Sequence, residues 1–211
     1  MFTYDPTQDG TDFTQNYKFL IGSILPRPIA WVSTRNSSGT FNIAPFSFFT
    51  AISAKPMIIA FCPMARSKDG QKKDTLINIE REKEFVINFV TEKNMDLANL
   101  TSTELAYGES EFDFAHLKTL PSVKVGAVRC AESPIHFECK LKDILSYGLG
   151  PGSGNLITGE VVQVHIDPQI LKDRKIQTEL FQPVGRGAGN DWFLCNEPLI
   201  RERLMQYQIQ K

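Results

Sequence analysis

The chain has 211 residues, a formal charge of −1 from 23 Lys+Arg and 24 Asp+Glu, and 42% hydrophobic residues. That length and hydrophobicity suit a globular unit with a sizeable core and exclude intrinsic disorder, and a balanced charge argues against nucleic acid as the main partner. No apolar run approaches the roughly 20 residues that span a bilayer, and Met1-Phe2-Thr3-Tyr4-Asp5 lacks the basic start of a signal peptide, so a cytoplasmic protein with no membrane contact is expected.

In chain order, apolar residues at helical spacing (Phe13, Tyr17, Leu20, Ile21, Ile24) predict a helix over Phe13–Leu25, capped by Asp12 and stopped by Pro26 and Pro28. Residues rich in β-branched and aromatic side chains predict strands at Ile29–Ser33, Ser47–Ile52, Met57–Cys62 and Glu84–Val90. Further strands are expected at Val123–Arg129, Ile135–Leu141 and Leu156–Ile166. Helices are expected at Thr75–Arg81, Met95–Leu105 and Pro198–Tyr207, with Asp74 and Asn94 as caps of the first two. Seven strands with few helices and no regular strand–helix alternation point to a mainly β protein, a closed or nearly closed antiparallel barrel with added helices. We expect one domain over 1–211, with an N-terminal arm at about 1–12 and a C-terminal helix at about 197–208.

Four segments carry chemistry-bearing residues. In Leu25-Pro26-Arg27-Pro28 two prolines hold Arg27 in extended backbone before an apolar strand, either as a pre-set anion contact or as a rigid strand entry. In Asn42-Ile43-Ala44-Pro45-Phe46-Ser47-Phe48-Phe49 small and polar residues interrupt an aromatic strand. Ala44, Pro45, Phe46 and Ser47 there offer a flat ring close backbone approach, amides and an apolar wall, or else mark a bend at a barrel corner. The basic stretch Arg66-Ser67-Lys68-Asp69-Gly70-Gln71-Lys72-Lys73-Asp74-Thr75 opens a helix with cations, hydroxyls and free amides, the set that phosphate binding asks for. A carboxylate would repel a phosphate, so Asp74 is assigned to capping or to orienting Lys73 or Arg66. Gly185-Arg186-Gly187-Ala188-Gly189-Asn190-Asp191-Trp192 could border a ligand or a subunit contact, or be a surface loop. The turn Gly148–Gly154 fits neither a dinucleotide fingerprint nor a P-loop.

Cys62, Cys130, Cys139 and Cys195 form no CxxC pair, and His116, His136 and His165 are far apart in sequence, so no metal site is expected. Neither GxSxG nor HExxH is present, and no side-chain nucleophile or general acid–base pair is assigned.

These segments stand in a familiar order. Pro-Arg-Pro-Ile-Ala-Trp-Val-Ser-Thr from Pro26 precedes Asn-Ile-Ala-Pro-Phe-Ser-Phe-Phe from Asn42, then Lys73-Asp74-Thr75 and Asn78-Ile79, then Glu84-Phe85-Val86-Ile87-Asn88. Ser133-Pro134-Ile135-His136-Phe137-Glu138-Cys139-Lys140-Leu141 and Gly159-Glu160-Val161 follow. Over roughly residues 15–195 the series resembles the flavin reductase-like FMN-binding split-barrel family, whose members include the nitrilotriacetate monooxygenase reductase component and flavoredoxin. The resemblance implies a homodimer holding FMN near the subunit interface and an NAD(P)H:flavin oxidoreductase, with a flavin-dependent monooxygenase or another electron acceptor as partner. By the same resemblance Ala44 to Ser47 line the flavin ring, Asn42 supports the turn, and Cys62 falls near the ring. Ser67, Lys73 and Thr75 lie on the phosphate segment, with Arg27 a further contact. Many family members carry a histidine in the turn before Gly159-Glu160-Val161, where this chain has Gly154-Asn155. Two other outcomes stay open: an FMN electron carrier of flavoredoxin type without its own NAD(P)H turnover, and an oxidase on the same barrel.

Overall fold

The computed structural model describes residues 1–8, 12–106 and 108–201. Helix α1 (Phe13–Ser23) begins at Asp12, whose side chain accepts from the Thr14 amide, as a capping aspartate should. Four strands follow: β1 (Ala30–Arg35), β2 (Phe41–Phe46), β3 (Phe49–Ala54) and β4 (Met57–Phe61). Helix α2 (Asp74–Glu82) leads into β5 (Glu84–Phe89), and the short helices α3 (Met95–Leu100) and α4 (Glu111–Phe114) come next. Two 13-residue strands, β6 (Ile135–Tyr147) and β7 (Gly154–Ile166), form a long hairpin, and a small ribbon, β8 (Val184–Arg186) with β9 (Trp192–Leu194), lies near the end.

The main sheet has seven antiparallel strands in the order β2-β1-β5-β6-β7-β4-β3. Its two edge strands, β2 and β3, are consecutive in sequence and separated only by Ser47 and Phe48, so the sheet must roll until its edges meet at this corner. The result is a split barrel, closed except for a gap between β2 and β3. Strand β1, next to the edge strand β2, is buried on both faces. Trp31 joins Ile43, Phe112 and Val184 outside the barrel, while Ala30 and Val32 join Phe46, Phe61, Leu76 and Phe85 inside it. The Phe46 and Phe61 rings, from strands near opposite edges, meet with centroids 5.4 Å apart.

Several sequence expectations are corrected. Strand β2 lies outside the expected strands, since small and polar residues interrupt the aromatic run there and Pro45 is one of them. It survives since β2 is an edge strand, and the alternate residues Phe41, Ile43 and Pro45 turn their backbone groups away from β1, where proline's missing N–H costs no ladder bond. The expected strand Val123–Arg129 pairs only at Arg129, because the Val123 and Lys124 amides donate instead to the Glu138 carboxylate at 2.9 and 2.6 Å. Asp74 is the first residue of α2 and not its cap; Lys73 holds that position without a side-chain bond. Asn94 does precede α3, but its side chain accepts from the Thr91 amide and donates to the Glu132 carbonyl, fixing the preceding turn. The helix expected over Met95–Leu105 ends at Leu100, where the Thr101 and Ser102 hydroxyls turn back onto the Ala98 and Asn99 carbonyls. Residues 198–201 are not helical, and the remainder of the expected C-terminal helix lies outside the described residues. Among the described residues no helix is long and apolar enough to cross a membrane.

Candidate functional site

The free edge of β2 decides where a ligand fits. Its outward backbone groups are covered at one end by α4: the Ser110 hydroxyl donates to the Phe41 carbonyl at 2.7 Å, and the Ile43 amide donates to Glu111 Oε2 at 3.2 Å. Beyond Ile43 the cover stops. From Ala44 to Phe46 the edge borders a cleft of about 150 Å³, whose other walls are Arg66, Lys73 and Thr75 at the start of α2 and the Thr101–Leu105 loop after α3.

The α2 wall carries free amides and two cations beside the carboxylates of Asp74 and Glu104. Its first-turn amides at Asp74 and Thr75 precede the helix's own backbone bonds, which begin with the Leu76 amide on the Lys73 carbonyl, and Lys73 supplies no cap. Arg66 Nη2 meets Asp74 Oδ1 at 2.6 Å, so Asp74 orients Arg66, one of the roles expected of it, and half-neutralises its own charge. Lys73 Nζ stands 3.7 Å from Glu104 Oε1, half-exposed and able to swing to a stronger anion.

Under the cleft lies a buried polar cluster. Asn42 Nδ2 donates to both Glu111 oxygens at 3.0 and 2.8 Å, and the Thr75 hydroxyl donates to Asn42 Oδ1 at 3.1 Å. These bonds tie β2, α2 and α4 together, so the open edge of β2 and the helix N-terminus keep a fixed spacing. Burial pushes the Glu111 carboxyl up to about 7, and nearby Asp74 pushes in the same direction.

Of the residues expected from sequence, Asn42, Ala44, Pro45, Phe46, Lys73 and Thr75 come together in this cleft. Ser47 lies one step further, in an adjoining cleft that shares Pro45 and Ser102 with the first. Ser67 is exposed on the outside of the Arg66–Gln71 turn, whose Gly70 packs so tightly on Gly150 that a Cβ there would stand 2.7 Å from the Gly150 Cα. Cys62 is half-buried beneath the β6–β7 hairpin: a Cβ at Gly154 would meet its sulfur at 3.0 Å, and burial raises its thiol pKa.

Arg27 is buried and lines neither cleft. Nη1 donates to the Ile21 and Ile24 carbonyls at 2.7 and 3.0 Å, Nη2 to the Gly187 carbonyl at 2.7 Å, and Nε to Ser47 Oγ at 3.2 Å. It clamps the end of α1 and the β8–β9 ribbon to the corner that carries Ser47. Sequence reasoning missed Glu111 and the Thr101–Ser102–Thr103 wall. Glu111 stands in no motif of the sequence, and the threonines fall within the helix expected over Met95–Leu105, which stops short of them.

The fold and the cleft together define a flavin-handling class of protein. The family model for the flavin reductase like domain matches residues 21–180, and the chain belongs to that family. An uncharacterised protein of Halalkalibacterium halodurans is 38% identical over 197 residues, covering 92% of this chain and 94% of that one. The crystal structure of nitrilotriacetate monooxygenase component B from Bacillus cereus is 30% identical and superposes with a TM-score of 0.88, covering 95% of this chain and 98% of that one. Flavoredoxin of Desulfovibrio vulgaris (Miyazaki F), at 20% identity, TM-score 0.71 and coverage of 84% and 91%, shares the fold.

Proposed function

We propose that this chain binds FMN in the cleft between β2 and α2 and passes electrons to it from a reduced nicotinamide dinucleotide, acting as an NAD(P)H:flavin oxidoreductase. The observation that carries the reading is the pairing of an uncapped helix N-terminus, flanked by Lys73 and Arg66, with the uncovered edge of β2 from Ala44 to Phe46. The first suits a terminal phosphate; the second offers a close, apolar approach to a planar ring. Bound flavin supplies the redox centre, and the protein's share is position and electrostatics.

Asn42 holds the β2 edge, Thr75 holds Asn42, Lys73 neutralises the phosphate, and Ala44, Pro45, Phe46 and Ser47 border the ring. Ser67 is a rim contact at most a short turn away. Arg27 and Cys62 act through the backbone they support. No side chain is assigned a proton-transfer role.

A carrier of flavoredoxin type is the second reading. It is favoured by Gly154 and Asn155, which open β7 and do not form a turn: Ser146 Oγ donates to Asn155 Oδ1 at 2.8 Å, and no titratable group stands in place of a histidine. Stopped-flow mixing of FMN-loaded protein with NADH and NADPH separates the two: rapid bleaching of the flavin band supports the reductase, and no bleaching supports the carrier. FMN binding itself is tested by titration against riboflavin. Equal dissociation constants would refute the phosphate site.

We also propose a cytoplasmic homodimer that serves a flavin-dependent monooxygenase or another acceptor. Exposed apolar residues on α1 (Leu20), just past its end (Ile24) and on the edge strand β3 (Ile52) support a second copy as cover. A light-scattering mass near the 23.8 kDa of one chain at micromolar concentration would refute the dimer.

A further inference from the structure

The ribbon β8–β9 walls a second cleft, where the flavin reading uses Pro45 and Ser47 but leaves Arg186 and Trp192 without a role. It adjoins the first through Pro45 and Ser102 and is otherwise lined by Ile29, Ser47, Arg186 and Trp192 with Asn99 at its mouth. The ribbon is held rigidly. Arg27 and Arg186 exchange backbone bonds of 2.9 and 2.8 Å, and the Arg27 guanidinium grips the Gly187 carbonyl. Gly185 packs so closely on Pro26 that a Cβ would stand 2.7 Å from the proline's own Cβ.

On this support Arg186 and Trp192 are cross-strand partners, and the Arg186 guanidinium carbon lies 5.1 Å from the Trp192 ring centroid. Its Nη1 donates to the Asp191 carbonyl at 3.0 Å, while Nε and Nη2 have no acceptor among the described residues, and no carboxylate pairs with it there. An oriented guanidinium with two free donors, stacked on an indole and opening beside an apolar floor of Ile29 and Pro45, matches a planar aromatic molecule that carries an anionic group.

We propose that this cleft is the site of the second substrate, a planar ring bearing a phosphate or carboxylate, with Arg186 taking the anion and Trp192 fixing Arg186. The assignment rests on the reading of the adjoining cleft as the flavin site: Pro45 and Ser102 form the common wall, so a ring seated here lies next to one seated there. A pyridine dinucleotide and an aromatic carboxylate share this chemistry.

The test is equilibrium binding by calorimetry to FMN-loaded protein, with oxidised NAD and NADP as phosphate-bearing probes, nicotinate as the carboxylate probe, and nicotinamide as the neutral control. Arg186→Gln should weaken at least one anionic probe about ten- to a hundred-fold, leaving nicotinamide and the FMN dissociation constant unchanged. Arg186→Lys should recover only part of the loss, because an ammonium lacks the fork. A loss confined to the dinucleotides identifies that source, and one confined to nicotinate identifies the other. Anionic probes that bind Arg186→Gln and wild type equally overturn the inference while leaving the flavin site standing. Weakened FMN in Arg186→Gln overturns it by moving Arg186 into the flavin site. Wild-type protein that takes no FMN overturns both readings together.

Discussion

Glu111→Gln isolates the electrostatic cost built into the floor of the cleft. Burial raises the Glu111 carboxyl from 4.5 to about 7 in the folded chain, so between those values the folded state holds one more proton than the unfolded state. Stability from this group is fully present below about pH 4.5 and is lost as pH rises through about 7. A rise from 4.5 to about 7 corresponds to about 3 kcal/mol. Glutamine keeps one oxygen to accept from Asn42 Nδ2 and the Ile43 amide but cannot ionise. At pH 5 the variant should be equal to wild type or less stable by about 1 kcal/mol, the worth of one bond made less well. By pH 8 it should have gained about 3 kcal/mol relative to wild type. Urea denaturation of both proteins at pH 5, 6, 7 and 8 reads this directly, and taking the difference cancels every group not coupled to Glu111, while the Asp74 charge that helps raise the Glu111 carboxyl is part of the difference read. Stability curves that stay parallel across the range would refute the reasoning: Glu111 would then ionise normally, and its burial against Asn42 would not describe the protein in solution.

Three further outcomes test the frame around the cleft. Lys73→Ala should weaken FMN by about 1.5–3 kcal/mol, the value of a charge-assisted contact, and an unchanged affinity in a flavin-fluorescence titration would remove Lys73 from the phosphate site. Arg27→Ala strands the Ile21, Ile24 and Gly187 carbonyls and should destabilise the chain by on the order of 3 kcal/mol, measured by urea unfolding; a midpoint equal to wild type would mean the clamp carries no weight. Gly159→Ala places a Cβ 2.4 Å from Cζ of the fully buried Phe85 ring, and overpacking of about 1–3 kcal/mol should lower the thermal midpoint, with no change if the ring simply shifts aside.

Local patterns were enough to place much of this molecule. The Asp12 cap, the paired hydrophobic runs of β4, β5, β6 and β7, and the basic entry to α2 are short-range features, each expressed by residues within one turn or one strand of each other. The order of the motifs carried the family, and the segments at Asn42–Phe46 and Lys73–Thr75 line one cleft.

What tertiary structure alone decided is which backbone edges and side chains are already spoken for. Arg27 looks like a free cation between two prolines, yet four of its donors end on carbonyls and a hydroxyl of other segments, one of them 160 residues away. Pro45 interrupts an aromatic run in the sequence yet stands in an edge strand that tolerates it, and Glu111 carries no sequence signal until the roll of the sheet brings Asn42 against it. Each depends on the desolvation and pairing of groups far apart in the chain. Such pairing has no period, and so it leaves no mark on sequence spacing.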